Sequence, residues 1–255
     1  MKEKLQYCGI LLRGYAKTKS EVEDVVGRLL RSVAKATEIG FSHIAVLVSK
    51  EKDCGETGIT VIERIKFPSS VRTAVLSPKG NDSDVLNAGI TFLKEYRCQH
   101  VFIVSNKAIE YLTAENVSKM LAAFDEWALV AGLAVRDPKI KFPGDDPDYI
   151  GILHGRISNV FSAWDMGALN MVGGFTSKIG VEETSVLIRL VRGVRKICIA
   201  PVLPEEQTGI NVSALRTSHH EAIFSTKKER QLKEAEHEGG SFELIRSGIL
   251  SGYPK

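Results

Sequence analysis

Two adjacent carboxylates, Glu182 and Glu183, are the residues of this chain best suited to acid–base work. A carboxylate within hydrogen-bond reach of a hydroxyl takes its proton as the oxygen attacks an electrophile. The pair suits a second role as well, because acidic side chains favour the first turn of a helix, where they meet the positive end of its dipole. Trp164-Asp165 offers an aromatic face and a carboxylate, a combination that holds sugar rings, although an aromatic this large serves equally in a core. Lys107, in Ser105-Asn106-Lys107, carries a charge suited either to phosphate oxygens or to solvent. Asp53, in Asp53-Cys54-Gly55, suits a ribose or base contact, or a simple turn. Asn87 and Gly89, within Leu86-Asn87-Ala88-Gly89-Ile90, either line a ligand pocket or belong to a buried helix. His219-His220-Glu221 is read as an exposed segment, because adjacent histidines do not share a helix face as those of H-E-x-x-H do.

The elements that must position these residues alternate between strand and helix. Residues 8–12, 44–48, 73–76 and 100–104 are short apolar runs of the kind that form buried strands. Between the first two, Ser20 and Glu23 make an S-x-x-E capping box. Val22, Val25, Val26, Leu29, Leu30 and Val33 follow at helical spacing, and Gly40 is placed to end the helix. A further helix is expected over residues 85–96, and another after Thr113 as N-cap. Residues 128–135 read as a central strand, 152–161 as a region holding another, and 197–202 as a late one. Val172 to Phe175 is a turn, and residues 182–192 a helix with Val186, Leu187, Leu190 and Val191 inward. Such alternation predicts an α/β fold with a largely parallel sheet. In an open sheet of that kind ligands bind at the carboxyl ends of the strands, so the loops after Leu12, Val48, Leu76 and Val104 come first.

Composition narrows the function further. A net charge of +3 is too small to argue for nucleic acid, and no apolar run reaches the length of a membrane-spanning helix. Met1 to Gln6 lacks the apolar core of a signal peptide. Cys8, Cys54, Cys98 and Cys198 form no C-x-x-C pair, and free thiols fit a soluble cytoplasmic protein. Neither G-x-G-x-x-G after the first strand nor G-x-x-x-x-G-K-[ST] anywhere is present, which argues against the common dinucleotide and P-loop sites.

The order of these features resembles an inverting glycosyltransferase of the GT-A type, close to family 2. Gly14-Tyr15 stands where that family has its turn after the first strand. The stretch from Glu51 to Thr57 stands for its acidic, small-residue loop against the nucleotide base, and Asn87-Ala88-Gly89 for its Asn-x-Gly element. Gly173-Gly174-Phe175, Glu182-Glu183 and Arg189 match its late Gly-Gly-Phe turn, acidic pair and arginine. The resemblance covers about residues 8 to 204. It implies a GT-A-like domain over 1–204, a mixed, largely parallel sheet sandwiched between helices, followed by a charged extension over 205–255. By this resemblance Tyr15, Asp53, Asn87, Gly89, Asn106 and Lys107 bind a nucleotide-sugar donor. Trp164, Asp165, Gly174 and Glu182 then face a hydroxyl acceptor, and Glu183 is the catalytic base. The family's Asp-x-Asp is replaced here by Ser105-Asn106-Lys107. A role for Mn²⁺ or Mg²⁺ is therefore left open, as is loss of catalysis with retained binding. A nucleotidyltransferase is a further competitor, but it would want a Gly-rich phosphate loop where this chain has only Arg13-Gly14-Tyr15.

Overall fold

A computed structural model of the chain describes residues 1–14, 19–48, 72–76, 82–106, 108–125, 128–134, 157–176, 186, 189–190, 197–204 and 249–251. Two compact units divide the chain, Met1–Ser118 and Lys119–Lys255.

In the first unit a short helix α1 (Lys2–Leu5) precedes β1 (Cys8–Gly14), α2 (Val22–Ile39), β2 (His43–Val48), β3 (Arg72–Leu76), α3 (Asp82–Glu95) and β4 (His100–Ser105). The four strands are parallel, in the order β3-β2-β1-β4. The expectation that these segments share one sheet with their carboxyl ends together is met. Ile10, Leu11 and Leu12 are consecutive and fully buried, as are Ile44, Ala45 and Val46. Such unbroken apolar runs mark strands covered on both faces. Two glycines show what covers them. A Cβ on Gly9 would lie 2.4 Å from a Leu93 methyl of α3, whereas one on Gly14 would lie 2.5 Å from a Leu29 methyl of α2. Successive side chains alternate across a strand, so α3 lies on one face of β1 and α2 on the other.

The stripe Val22, Val25, Val26, Leu29 and Val33 of α2 is buried, whereas Leu30, expected in the same stripe, is exposed. Gly40 ends the helix at φ 116°, a left-handed conformation that glycine adopts without strain. The helix start differs from expectation. A 3-10 turn, Lys19–Glu21, comes first, and the N-cap is Glu21, whose side chain makes no capping hydrogen bond. Tightening the entry turn moves the N-cap one residue past Ser20, the position that the S-x-x-E pattern suggests.

The unit boundary falls within α4 (Ala114–Asp125). The second unit holds β5 (Ala128–Ala134), β6 (Ile157–Asp165), α5 (Met166–Met171), β7 (Ile197–Pro204) and β8 (Ile249–Ser251). The strand order is β6-β5-β7-β8, with β6 antiparallel to β5 and the other pairs parallel. Gly132 carries an irregularity in the β5–β6 register, and a Cβ there would lie 2.6 Å from the Phe161 carbonyl oxygen. Strand β8 was not expected from the sequence; its three residues extend the sheet beside β7. Its brevity and its distance from any other periodic segment hide it from pattern reading.

Candidate functional site

From β1 the chain steps to β2 and β3 on one side, then returns to place β4 on the other. The strand order therefore reverses between β1 and β4, and the carboxyl ends of those two strands flank a crevice. Four residues meet there. Arg13 stands in register with both Leu47 and Ser105, and Gly14 with Val48. The Asn106 amide donates to the Arg13 carbonyl at 2.8 Å, carrying the β1–β4 ladder one step past the strand. The Asn106 side chain is 4% exposed, and its Oδ1 accepts from the Ser105 hydroxyl at 3.4 Å. A carboxamide buried at a strand end is a polar group whose desolvation must be offset by hydrogen bonds.

The backbone beyond Asn106 is held from two helices. Ala108 N–H closes onto the Ser105 carbonyl at 2.8 Å, and a 3-10 turn, Ile109–Tyr111, follows. Lys35 of α2 donates to the Ile109 carbonyl at 3.1 Å and lies 3.7 Å from the Glu110 carboxylate. That ion pair is largely exposed, so the carbonyl contact contributes more, about 1 kcal/mol. Asn116 of α4 donates to the Tyr111 carbonyl at 2.8 Å, and its own amide donates to Thr113 Oγ1 at 3.2 Å, the N-cap expected from the sequence.

On α3, Asn87 is half-buried and its carbonyl accepts from Thr91 Oγ1 at 2.9 Å. Gly89 is buried where the helix rests on β1 and β2: a Cβ there would lie 2.7 Å from Leu11 Cδ2 and 3.1 Å from Leu47 Cδ2. Its missing side chain thus permits close approach of helix and sheet.

The second unit holds the other candidates. Trp164 is fully buried, its ring packed edge-on against Phe175 with centroids 5.2 Å apart, and its Nε1 donates to Ser162 Oγ at 2.9 Å. This is core packing with the indole N–H satisfied. Asp165 caps α5 through Oδ1, which accepts from the Ala168 amide at 2.7 Å. Behind α5, Gly173 and Gly174 both take positive φ, 77° and 81°, and the buried Gly174 donates to the Leu169 carbonyl at 2.8 Å. Arg189, on a segment whose described residues are helical and whose Val186 and Leu190 are fully buried, reaches back to this turn. One guanidinium nitrogen donates to the Val172 carbonyl and the other to the Gly174 carbonyl at 2.8 Å. Tyr15, Asp53, Lys107, Glu182 and Glu183 lie outside the described residues.

The perturbed groups sit at the other, amino ends of β1 and β4. Burial, with Cys98 close by adding and Lys4 opposing, pushes the Cys8 thiol up to about 12; burial pushes Cys98 to about 11. Cys8 S–H points to the Lys4 carbonyl at 3.3 Å. Thiols held protonated in this way are structural, not nucleophilic.

Sequence reading passed over one functional candidate, Arg13. Its signal was present: a lone cation at the carboxyl end of a strand that is otherwise apolar or glycine. For a divalent cation, the end of β4 supplies a hydroxyl and a carboxamide, and hard cations prefer charged oxygens. Among the described residues no group of three or more His, Cys, Asp or Glu is arranged to hold a metal, and no helix is long and apolar enough to cross a membrane.

No family model matches the chain, and no curated protein matches it in sequence. Solved structures do. A mannosyltransferase from Pyrobaculum calidifontis, solved with GDP-Man and Mn²⁺, aligns with 94% of this chain and 68% of its own at 11% identity and a TM-score of 0.58. Glucosyl-3-phosphoglycerate synthase from Mycobacterium tuberculosis, solved with Mn²⁺, UDP and phosphoglyceric acid, aligns with 92% of this chain and 79% of its own at 13% identity and a TM-score of 0.53. The 4-diphosphocytidyl-2C-methyl-D-erythritol synthase of Anaerococcus prevotii aligns with 78% of this chain and 89% of its own at 11% identity and a TM-score of 0.51. The mixed, mostly parallel sheet and its helices are thus those of the GT-A-like nucleotide-diphospho-sugar transferases.

Proposed function

We propose that this chain takes a nucleotide-sugar donor and transfers its sugar to a hydroxyl acceptor with inversion. The observation that carries the reading is the meeting of Arg13, Ser105 and the buried Asn106 at the carboxyl ends of β1 and β4. It lies at the point of strand reversal where folds of this kind take a nucleotide. In the proposed reaction the acceptor oxygen attacks the anomeric carbon from the face opposite the leaving group. The new carbon–oxygen bond forms as the bond to the diphosphate oxygen breaks, the nucleoside diphosphate leaves with that electron pair, and Glu183 takes the acceptor proton. Tyr15, Asp53 and Asn87 belong to the donor side in this reading, Gly89 supports that side from within by letting α3 close on the sheet, and Lys107 offsets charge on the departing diphosphate. Trp164, Asp165, Gly174 and Glu182 belong to the acceptor side. For Trp164 and Asp165 the role is to support the wall of that side from within, given the burial of the one and the capping bond of the other.

A second reading keeps binding and drops catalysis. It is favoured by Ser105-Asn106-Lys107 at the position where the resemblance expects metal-binding carboxylates. Thermal-shift measurements against UDP-, GDP- and CDP-linked ligands, with and without Mn²⁺, test what the two readings share. A ligand that binds only the native state raises its melting temperature. Stabilisation by a nucleotide sugar is the expected result, and no stabilisation by any of them would remove both readings. Release of nucleoside diphosphate in the presence of an acceptor then separates transfer from binding alone.

A further inference from the structure

Four polar residues are buried among the described residues: Ser32, Ser83, Asn106 and Ser162. The protein satisfies two of them. Ser32 Oγ donates to the Arg28 carbonyl at 2.9 Å, and Ser162 Oγ accepts from Trp164 Nε1 at 2.9 Å. The other two stay open. Asn106 uses its Oδ1 on the Ser105 hydroxyl, and its Nδ2 has no partner among the described residues. The Ser83 hydroxyl has none there either. Each of these two residues is 4% exposed. A polar group taken this far out of water and left unpaired raises the energy of the fold, and native proteins leave few of them unfilled.

Both open groups lie at one end of the first unit. Asn106 follows β4 directly at its carboxyl end. Helix α3 runs antiparallel to β1, since Leu93 meets Gly9 and Gly89 meets Leu11. Ser83, near the start of α3, therefore lies at the carboxyl end of the strands as well. The open atom of Asn106 also selects its occupant. An amide N–H attracts an anionic oxygen and repels a cation. With no carboxylate in Ser105-Asn106-Lys107, the end of β4 does not fit a divalent cation and does fit a phosphate oxygen.

We propose that Asn106 and Ser83 hydrogen-bond the nucleoside diphosphate of the ligand directly, Asn106 through Nδ2 to a phosphate oxygen with no cation between them. The inference rests on the donor reading given above and fills two groups that the free protein leaves open.

The test is calorimetry on the full chain with UDP and GDP as probes, in EDTA and in Mn²⁺, for the wild type, Asn106→Asp and Ser83→Ala. Urea unfolding of the same proteins without nucleotide accompanies it. The wild type should bind a diphosphate in EDTA. Asn106→Asp keeps the shape but turns the donor into a charged acceptor, so binding in EDTA should weaken by about tenfold to a hundredfold. Mn²⁺ should restore much of that loss, because the new carboxylate suits a hard cation. Ser83→Ala should weaken binding by about threefold to tenfold and leave the urea midpoint of the free protein level or higher, since it removes an unpaired buried group. A purely structural serine gives the opposite pattern, a lower midpoint with unchanged affinity, and that result overturns its assignment. Ser83→Ala decides the matter if the aspartate variant does not fold. Full affinity of Asn106→Asp in EDTA, or wild-type binding only with Mn²⁺, overturns the direct contact while the donor reading stands. A wild-type protein that binds neither UDP nor GDP, with or without Mn²⁺, overturns the donor reading and this inference with it.

Discussion

Adding one methyl group at Gly89 tests whether that glycine serves packing or ligand binding. Gly→Ala inside a helix ordinarily stabilises by about 1 kcal/mol, because glycine is a poor helix former. Here the new Cβ would stand 2.7 Å from Leu11 Cδ2 and 3.1 Å from Leu47 Cδ2, well inside the 3.4 Å at which ordinary contact begins. Both leucines are fully buried, so their methyls have little space to yield. Overpacking of this kind costs about 1–3 kcal/mol. The net effect of Gly89→Ala should be a loss of about 1 kcal/mol, or a melting temperature lower by about 2–4 °C. Leu11→Ala alone should cost about 2–5 kcal/mol through the cavity it leaves. In that background, however, only the 3.1 Å approach to Leu47 Cδ2 remains, and that methyl can yield into the cavity, so Gly89→Ala should stabilise and the sign of its effect reverses. Urea unfolding of the four proteins of this cycle, followed by far-ultraviolet circular dichroism, measures the coupling, expected near 2 kcal/mol. Affinity for GDP or UDP should be the same with glycine and alanine at 89. The packing argument fails if Gly89→Ala stabilises the protein that retains Leu11, or if the coupling is below about 0.5 kcal/mol.

Three further outcomes are expected. Glu183→Gln should lower turnover by about a hundredfold to ten-thousandfold with donor affinity intact, and Glu182→Gln should cost less, since Glu183 alone is the assigned base; unchanged turnover in Glu183→Gln removes that assignment. Donor affinity measured by calorimetry should change less than about tenfold on adding Mn²⁺ or Mg²⁺, because the end of β4 lacks a carboxylate; a strict metal requirement would point instead to Asp145, Asp146 or Asp148. Stability should decline with alkali: Cys8 and Cys98 stay protonated in the fold up to about 12 and 11 but ionise near 9.0 once unfolded. The unfolded chain therefore binds fewer protons above that pH, so the stabilisation is whole below it and is lost as pH climbs towards the folded values. Urea midpoints that stay level from pH 8 to 10.5 would contradict the burial of these thiols.

The first unit was legible because local and long-range signals agree. Apolar runs too short for helices alternate with a stripe of valines and leucines, and each segment is bounded by glycine or polar residues, so strands, helices and their place in one sheet follow from one pattern, whereas the strand order does not. The start of α2 was misread because Ser20 and Glu23 satisfy a capping pattern that the chain replaces with a 3-10 turn. Two readings stood open for Trp164, platform or core, and the structure places the ring inside; no single sequence tells a buried indole from an exposed one. Arg13 forms no glycine motif, and what places it at the strand reversal is its pairing with Ser105, far away in the chain.

The bond pair made by Arg189 has a consequence for how the chain could be remodelled. By grasping the Val172 and Gly174 carbonyls it brings the two ends of the intervening stretch to one place, whatever lies between. The turn so held tolerates little change, because an ammonium offers its donors from one point, whereas the planar guanidinium reaches the two carbonyls with separate nitrogens. Gly173 and Gly174 take φ 77° and 81°, where any other residue would be strained. Exchange of Arg189 or of either glycine would therefore loosen the turn that carries Phe175 against Trp164.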